Sequence, residues 1–166
     1  RWAAERMTGQ TASPFEVQAS MLVSLPRDGG GLGIHIANNV RIPLNEAVRS
    51  LYDKTCCYAD ILLESNTDST GVILECQGRS AHDSEAASLS DAERTTALTS
   101  MGYDVIQITY EQIKDTKSFN NLAELIHKKA GLPYAPKTKQ ERTVEDALRR
   151  ELLVDWDELF AVKPTS

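Results

Sequence analysis

The sequence predicts an α/β domain with a mixed sheet, and three observations carry that prediction. Segments of helical period and β-prone apolar runs alternate along the 166 residues. Two of the runs, CCYADILLE and GVILECQ, flank the polar, turn-forming SNTDST, which makes them an antiparallel hairpin. A third run, YDVIQIT, follows a helical segment, and a strand-helix-strand order of this kind places the last strand in the same sheet by a right-handed crossover.

The elements follow in order. SPFEVQASMLVSLP has Ser13 as N-cap, Pro14 at the first helical position and Glu16 at the capping-box position, with Phe15, Ala19, Leu22 and Leu25 along one face, so a helix is expected up to Pro26. Asp28 to Gly33, DGGGLG, reads as a loop. IHIANNVRIPL offers a short strand around Val40 and Ile42, broken by Pro43, and LNEAVRSLYDK a short helix. After the hairpin, SDAERTTALTSMG predicts a helix capped by Ser90 and stopped by Gly102, followed by the strand YDVIQIT. SFNNLAELIHKKA, Ser118 to Ala130, is helical and closes on two lysines and Gly131. LPYAPKTKQE reads as a linker, and TVEDALRRELLVDWDELF as a last amphipathic helix with Thr143 and Asp146 at its start. Leu152, Trp156 and Leu159 on that helix form either a core stripe or a homodimer contact.

Composition bounds the function. With 41% hydrophobic and 25% charged residues the chain is one domain's worth of ordinary globular sequence. It has no apolar run long enough to span a membrane and no secretory signal, so neither spanning nor export is expected. The chain opens on Arg1 rather than Met, which leaves an upstream region open and makes residues 1–12 an N-terminal segment before a core over 13–131 and a linker with helix over 132–166. Cys56, Cys57 and Cys76 form no disulfide framework, which points to a reducing, cytoplasmic setting. A zinc site from these cysteines and His82 lacks the usual C-x-x-C spacing. The net charge of -6 means that the global field does not attract nucleic acid, so any such binding is local. The one basic cluster is Lys128, Lys129, Lys137, Lys139 and Arg142, which is either a backbone grip or a solvated helix end and linker.

Chemistry concentrates in the hairpin. Glu75 and Gln77 interrupt an apolar strand on one face, and Asp60 on the neighbouring strand faces them if the register allows. Ionised carboxylates in apolar surroundings are costly unless paired or holding a metal, and two together suggest Mg²⁺, or Mn²⁺, with the backbone carbonyl of Cys76 as a further ligand. The alternative is that Glu75 and Gln77 lie on the solvent face of an edge strand and Asp60 merely starts its own. Asp91 and Arg94, at helical spacing, either form a surface pair or turn Arg94 into the cleft.

Asp60, then Glu75-Cys76-Gln77, His82, Asp91-Ala92-Glu93-Arg94, Leu98, Gly102 and VIQIT together resemble the PD-(D/E)XK nuclease superfamily, within it the Vsr-like or DUF559-like endonuclease domains. The resemblance implies a three-layer αβα sandwich with a mixed central sheet, built on an αβββαβ restriction-endonuclease-like core plus C-terminal helices. It implies Mg²⁺-dependent hydrolysis of a nucleic-acid phosphodiester, DNA in the first instance. By position, Asp60 and Glu75 would hold the metal, Gln77 would stand where lysine is usual, and Glu16 would be the acidic residue of the first helix. His82 would act as a general acid or position a water. Arg79 and Arg94 would meet phosphate. Glutamine offers hydrogen bonds but no charge to the phosphorane, so the departure at Gln77 bears directly on activity. The alternative function is a catalytically inactive nuclease-like module that binds nucleic acid or a protein partner in a regulatory or toxin-antitoxin-like protein.

Overall fold

The computed structural model describes residues 11, 13–52, 54–77 and 85–154, with the backbone alone for 85–88. The chain is α/β. Helix α1 (Pro14–Ser24) leads through a 3₁₀ turn (Arg27–Gly29) to strand β1 (Ala37–Pro43) and a one-turn helix α2 (Glu46–Arg49). The hairpin β2 (Cys56–Leu63) and β3 (Gly71–Gln77) follows, then α3 (Glu85–Ser100), β4 (Tyr103–Thr109), α4 (Tyr110–Lys114), α5 (Thr116–Ala130) and α6 (Lys139–Leu152).

The sheet runs in the order β1-β2-β3-β4. β1 and β3 are antiparallel to β2, and β4 lies parallel to β3 after the α3 crossover. β3 is buried on both faces from Gly71 to Glu75, as a central strand must be. Two apolar cores flank the sheet. Val72, Leu74, Ile106 and Ile108 pack against Leu22, Ile113, Phe119 and Ile126 of α1, α4 and α5. Ile73 instead joins Val48 of α2 and Ala97 and Leu98 of α3.

Local chemistry explains most element ends. The Ser13 hydroxyl accepts from the Glu16 N–H at 3.2 Å, which caps α1 as expected. Several assignments differ from expectation, and α5 begins at Thr116, two residues before Ser118. α3 begins at Glu85, so Ser90 lies inside the helix rather than at its cap. α4 was not foreseen, although Thr109 and Gln112 form a reciprocal capping box. α6 begins at Lys139 rather than Thr143, because Thr138 and Glu141 form another capping box.

α6 is held by polar contacts as well as apolar ones. Arg27 grips Glu141 with two nitrogens at 2.7 and 3.1 Å. Gly30, at φ 90°, lets the 3₁₀ turn approach so closely that an added Cβ would lie 3.0 Å from both Leu148 Cβ and the Val144 carbonyl. Leu152 packs against the α1-side core, the core-stripe alternative for that residue, while Trp156 and Leu159 lie outside the described residues. Among the described residues no helix is long and apolar enough to cross a membrane.

Candidate active site

The site forms where β2 parts from its neighbours. The β1-β2 ladder runs from Asn38↔Ile61 to Val40↔Ala59 and passes over Asp60, and Asn39 there has φ 50°, left-handed backbone that asparagine tolerates better than most residues. On the other side the β2-β3 ladder ends at Ile61↔Leu74. β2 also changes cores at this point, with Ile61 and Leu63 in the α1-side cluster and Cys57 and Ala59 in the α3-side cluster. The Asp60 carboxylate bridges the opening, accepting the Cys76 N–H at 2.8 Å through Oδ2.

This register brings the expected residues together. Asp60, Glu75, Cys76, Gln77, Asp91 and Arg94 line one cavity of about 190 Å³, with Thr95, Leu98 and Gln107. Glu75 is 6% exposed, so the solvent-face alternative does not hold for it. Its Oε2 meets Arg94 Nη2 at 2.5 Å, and the same nitrogen donates to the Tyr58 carbonyl at 2.5 Å. Glu75 Oε1 is buried without a hydrogen-bond partner among the described residues.

Burial dominates the electrostatics. It lifts Glu75 from its ordinary 4.5 to about 7, against the pull of Arg94 and with a push from Asp60. Asp60 is also raised by burial, the Cys76 N–H and Arg94 opposing and Glu16 adding to the rise. The Cys76 thiol is pushed far up by burial and by Asp60, Glu16 and Glu75, which makes it an inert core group. Glu16 is buried on α1, near enough for its charge to be felt at Asp60 and Cys76.

A residue's N–H and C=O project to the same side of a strand, so the Cys76 carbonyl heads toward the gap that its N–H enters. Cys57 and Cys76 pack in different cores on opposite faces of the sheet, which rules out a zinc site joining them. Among the described residues no three His, Cys, Asp or Glu side chains form a metal-holding group. Arg79 and His82 lie outside the described residues.

The expected basic cluster disperses. Lys137 is buried in an ion pair with Glu145, and Lys129 pairs with Asp104 at 2.6 Å, while Lys128, Lys139 and Arg142 stay exposed. Gln107, in contrast, was missed. It sits opposite Glu75 in the parallel ladder, and its signal was the same as that of Gln77, a polar residue inside an apolar strand. No family model matches the chain, and neither does any curated protein or solved structure.

Proposed function

We propose that the chain is a metal-dependent endonuclease domain that hydrolyses nucleic-acid phosphodiesters, DNA in the first instance, in the cytoplasm. One observation carries the reading: the buried carboxylate of Glu75 and the half-buried one of Asp60 line one cavity where β2 and β3 separate, and one Glu75 oxygen is without a hydrogen-bond partner among the described residues. A buried carboxylate oxygen with nothing to accept is costly unless a cation or proton supplies what is missing. The order α1, β1, β2, β3, α3, β4 and the covering of both sheet faces agree with an αβββαβ core in a three-layer sandwich.

The donor set suits a hard cation. Asp60 and Glu75 would hold it, with the Cys76 carbonyl and water completing the oxygen shell that Mg²⁺ or Mn²⁺ prefers, and Glu16 reaching it through water. When bound, such an ion supplies charge to the phosphoryl oxygens and lowers the pKa of a bound water. Gln77 contributes hydrogen bonds that orient the attacking water or a phosphate oxygen, without the charge of a lysine. Arg94 lines the same cavity and supplies the positive charge that Gln77 lacks.

Cleavage of supercoiled plasmid and of labelled oligonucleotides with Mg²⁺ or Mn²⁺ tests the reading. Asp60→Asn and Glu75→Gln are expected to lose about 100-fold or more of the rate. Equal cleavage by both variants would assign the activity to a contaminant and overturn it.

The second reading, a nuclease-like module that binds without cutting, is favoured by Gln77 and by the ion pair that already neutralises Glu75. Calorimetric titration with Mn²⁺ separates the two. A module with a dead site gives no heat that Asp60→Asn removes.

A further inference from the structure

We propose that Arg94 is an exchangeable counter-ion, which yields Glu75 to the divalent cation and then turns to a phosphate oxygen of the substrate; the inference rests on the metal-site reading above. The first support is charge. Among the described residues the cavity is lined by three carboxylates, Asp60, Glu75 and Asp91, and by one cation, Arg94, an excess of negative charge that repels phosphate and matches a divalent ion. The second is position. Arg94 Nη2 stands 2.5 Å from Glu75 Oε2, so the guanidinium holds one of the two oxygens that a cation shared with Asp60 would take. A cation entering at Oε1 and the guanidinium on Oε2 therefore compete for the charge of one carboxylate.

The third is freedom to move. Among the described residues both oxygen contacts of Arg94, to Glu75 and to the Tyr58 carbonyl, run through the single nitrogen Nη2, with the Cys57 thiol as a weaker neighbour, whereas a guanidinium carries five N–H donors in a planar fork that matches phosphate. The Arg94 side chain is 24% exposed against 8% for Glu75, so the arginine is the partner that can swing while the carboxylate stays in place. Released from Glu75, the fork reaches phosphate as the entering ion cancels the local negative charge. Metal entry and phosphate binding become coupled, each favouring the other.

The test compares Mn²⁺ binding to the wild-type protein, Arg94→Gln and Asp60→Asn in mildly alkaline buffer, by calorimetry and by the paramagnetic resonance of free Mn²⁺. Arg94→Gln removes the competitor and is expected to bind Mn²⁺ roughly tenfold more tightly. Ca²⁺ should also raise the affinity of the wild type for a phosphorothioate oligonucleotide by more than it raises that of Arg94→Gln. Equal or weaker Mn²⁺ binding by a folded Arg94→Gln would overturn the exchange while leaving the metal site intact. Absence of Mn²⁺ binding in both proteins would remove the metal site and the exchange with it. Should Arg94→Gln fail to fold, guanidinium NMR of the wild type decides. The Arg94 resonance moves with Mg²⁺ and does not in Asp60→Asn, and a bound Mg²⁺ that leaves it unmoved overturns the proposal.

Discussion

Two clusters in this molecule bury carboxylates against cations, and their surroundings separate them. At α6, Glu145 is 2% exposed and meets Lys137 and Arg149, and both cations also lie over the Phe119 ring, at 4.9 and 5.4 Å. Arg149 donates further to the Lys114 carbonyl. Both Glu145 oxygens there face a cation, Oε1 Arg149 and Oε2 Lys137; the cluster joins α6 to α4 and α5, and burial pushes Lys137 down to about 8, a cost of docking a helix with charges beneath it. At the sheet opening, Glu75 is nearly as buried, but it borders a cavity and keeps one oxygen without a partner among the described residues. Burial of charge alone therefore does not mark a functional site. The proposed metal site rests instead on burial beside a cavity together with a carboxylate oxygen that has no hydrogen-bond partner among the described residues.

The contrast can be broken at several points, beginning with the largest effect. Glu145→Ala leaves Lys137 and Arg149 buried without their carboxylate and should cost about 3–5 kcal/mol in chemical denaturation, with Mn²⁺ binding at the sheet opening unchanged. Loss of Mn²⁺ binding in a folded Glu145→Ala protein would merge the two clusters into one unit. Glu75 gives the next largest effect, in pH dependence. Its folded pKa of about 7 lies above the ordinary 4.5, so the folded state holds the extra proton between these values. The contribution of Glu75 to stability is fully present below about 4.5 and is lost as pH rises toward 7, by up to about 3 kcal/mol. Glu75→Gln should flatten that slope in denaturation series across the range, and an unchanged slope would show that Glu75 is not its source.

Gly30→Ala forces a side chain onto Leu148 and the Val144 carbonyl at a left-handed position, and should lower stability by about 1–3 kcal/mol. Thermal denaturation checks this, and a neutral result would mean that α6 shifts to make room. The smallest effect belongs to Lys129→Ala. Its pair with Asp104 has side chains 44% and 28% exposed, so its loss should change stability by less than about 0.5 kcal/mol and fade with salt.

The fold was legible where pattern and chemistry agree. The CCYADILLE and GVILECQ hairpin, the Ser13 cap and the strand YDVIQIT parallel to its predecessor all followed from apolar runs bounded by turn residues. The capping boxes at Thr109 and Thr138 were equally readable, but the first lay in a short helix and the second in a stretch whose prolines and lysines suggested a linker. Ser90 misled for the opposite reason, since a serine can cap a helix or sit inside one.

In the site, Glu75 and Gln77 announced themselves as polar breaks in an apolar strand, and Gln107 carried the same mark unread. The amino-acid sequence thus determined by itself the α/β class, the hairpin and the residues that disturb its apolar pattern, because these depend on local periodicity and turn chemistry. Tertiary structure decided that Asp60 lies beside Glu75, that Arg94 rather than a neighbour on its own helix completes the pair, and that Lys137 is buried. Those outcomes depend on strand register, on where α3 crosses the sheet and on how α6 docks. Register and docking are set by contacts between residues far apart in the chain, which no local pattern records.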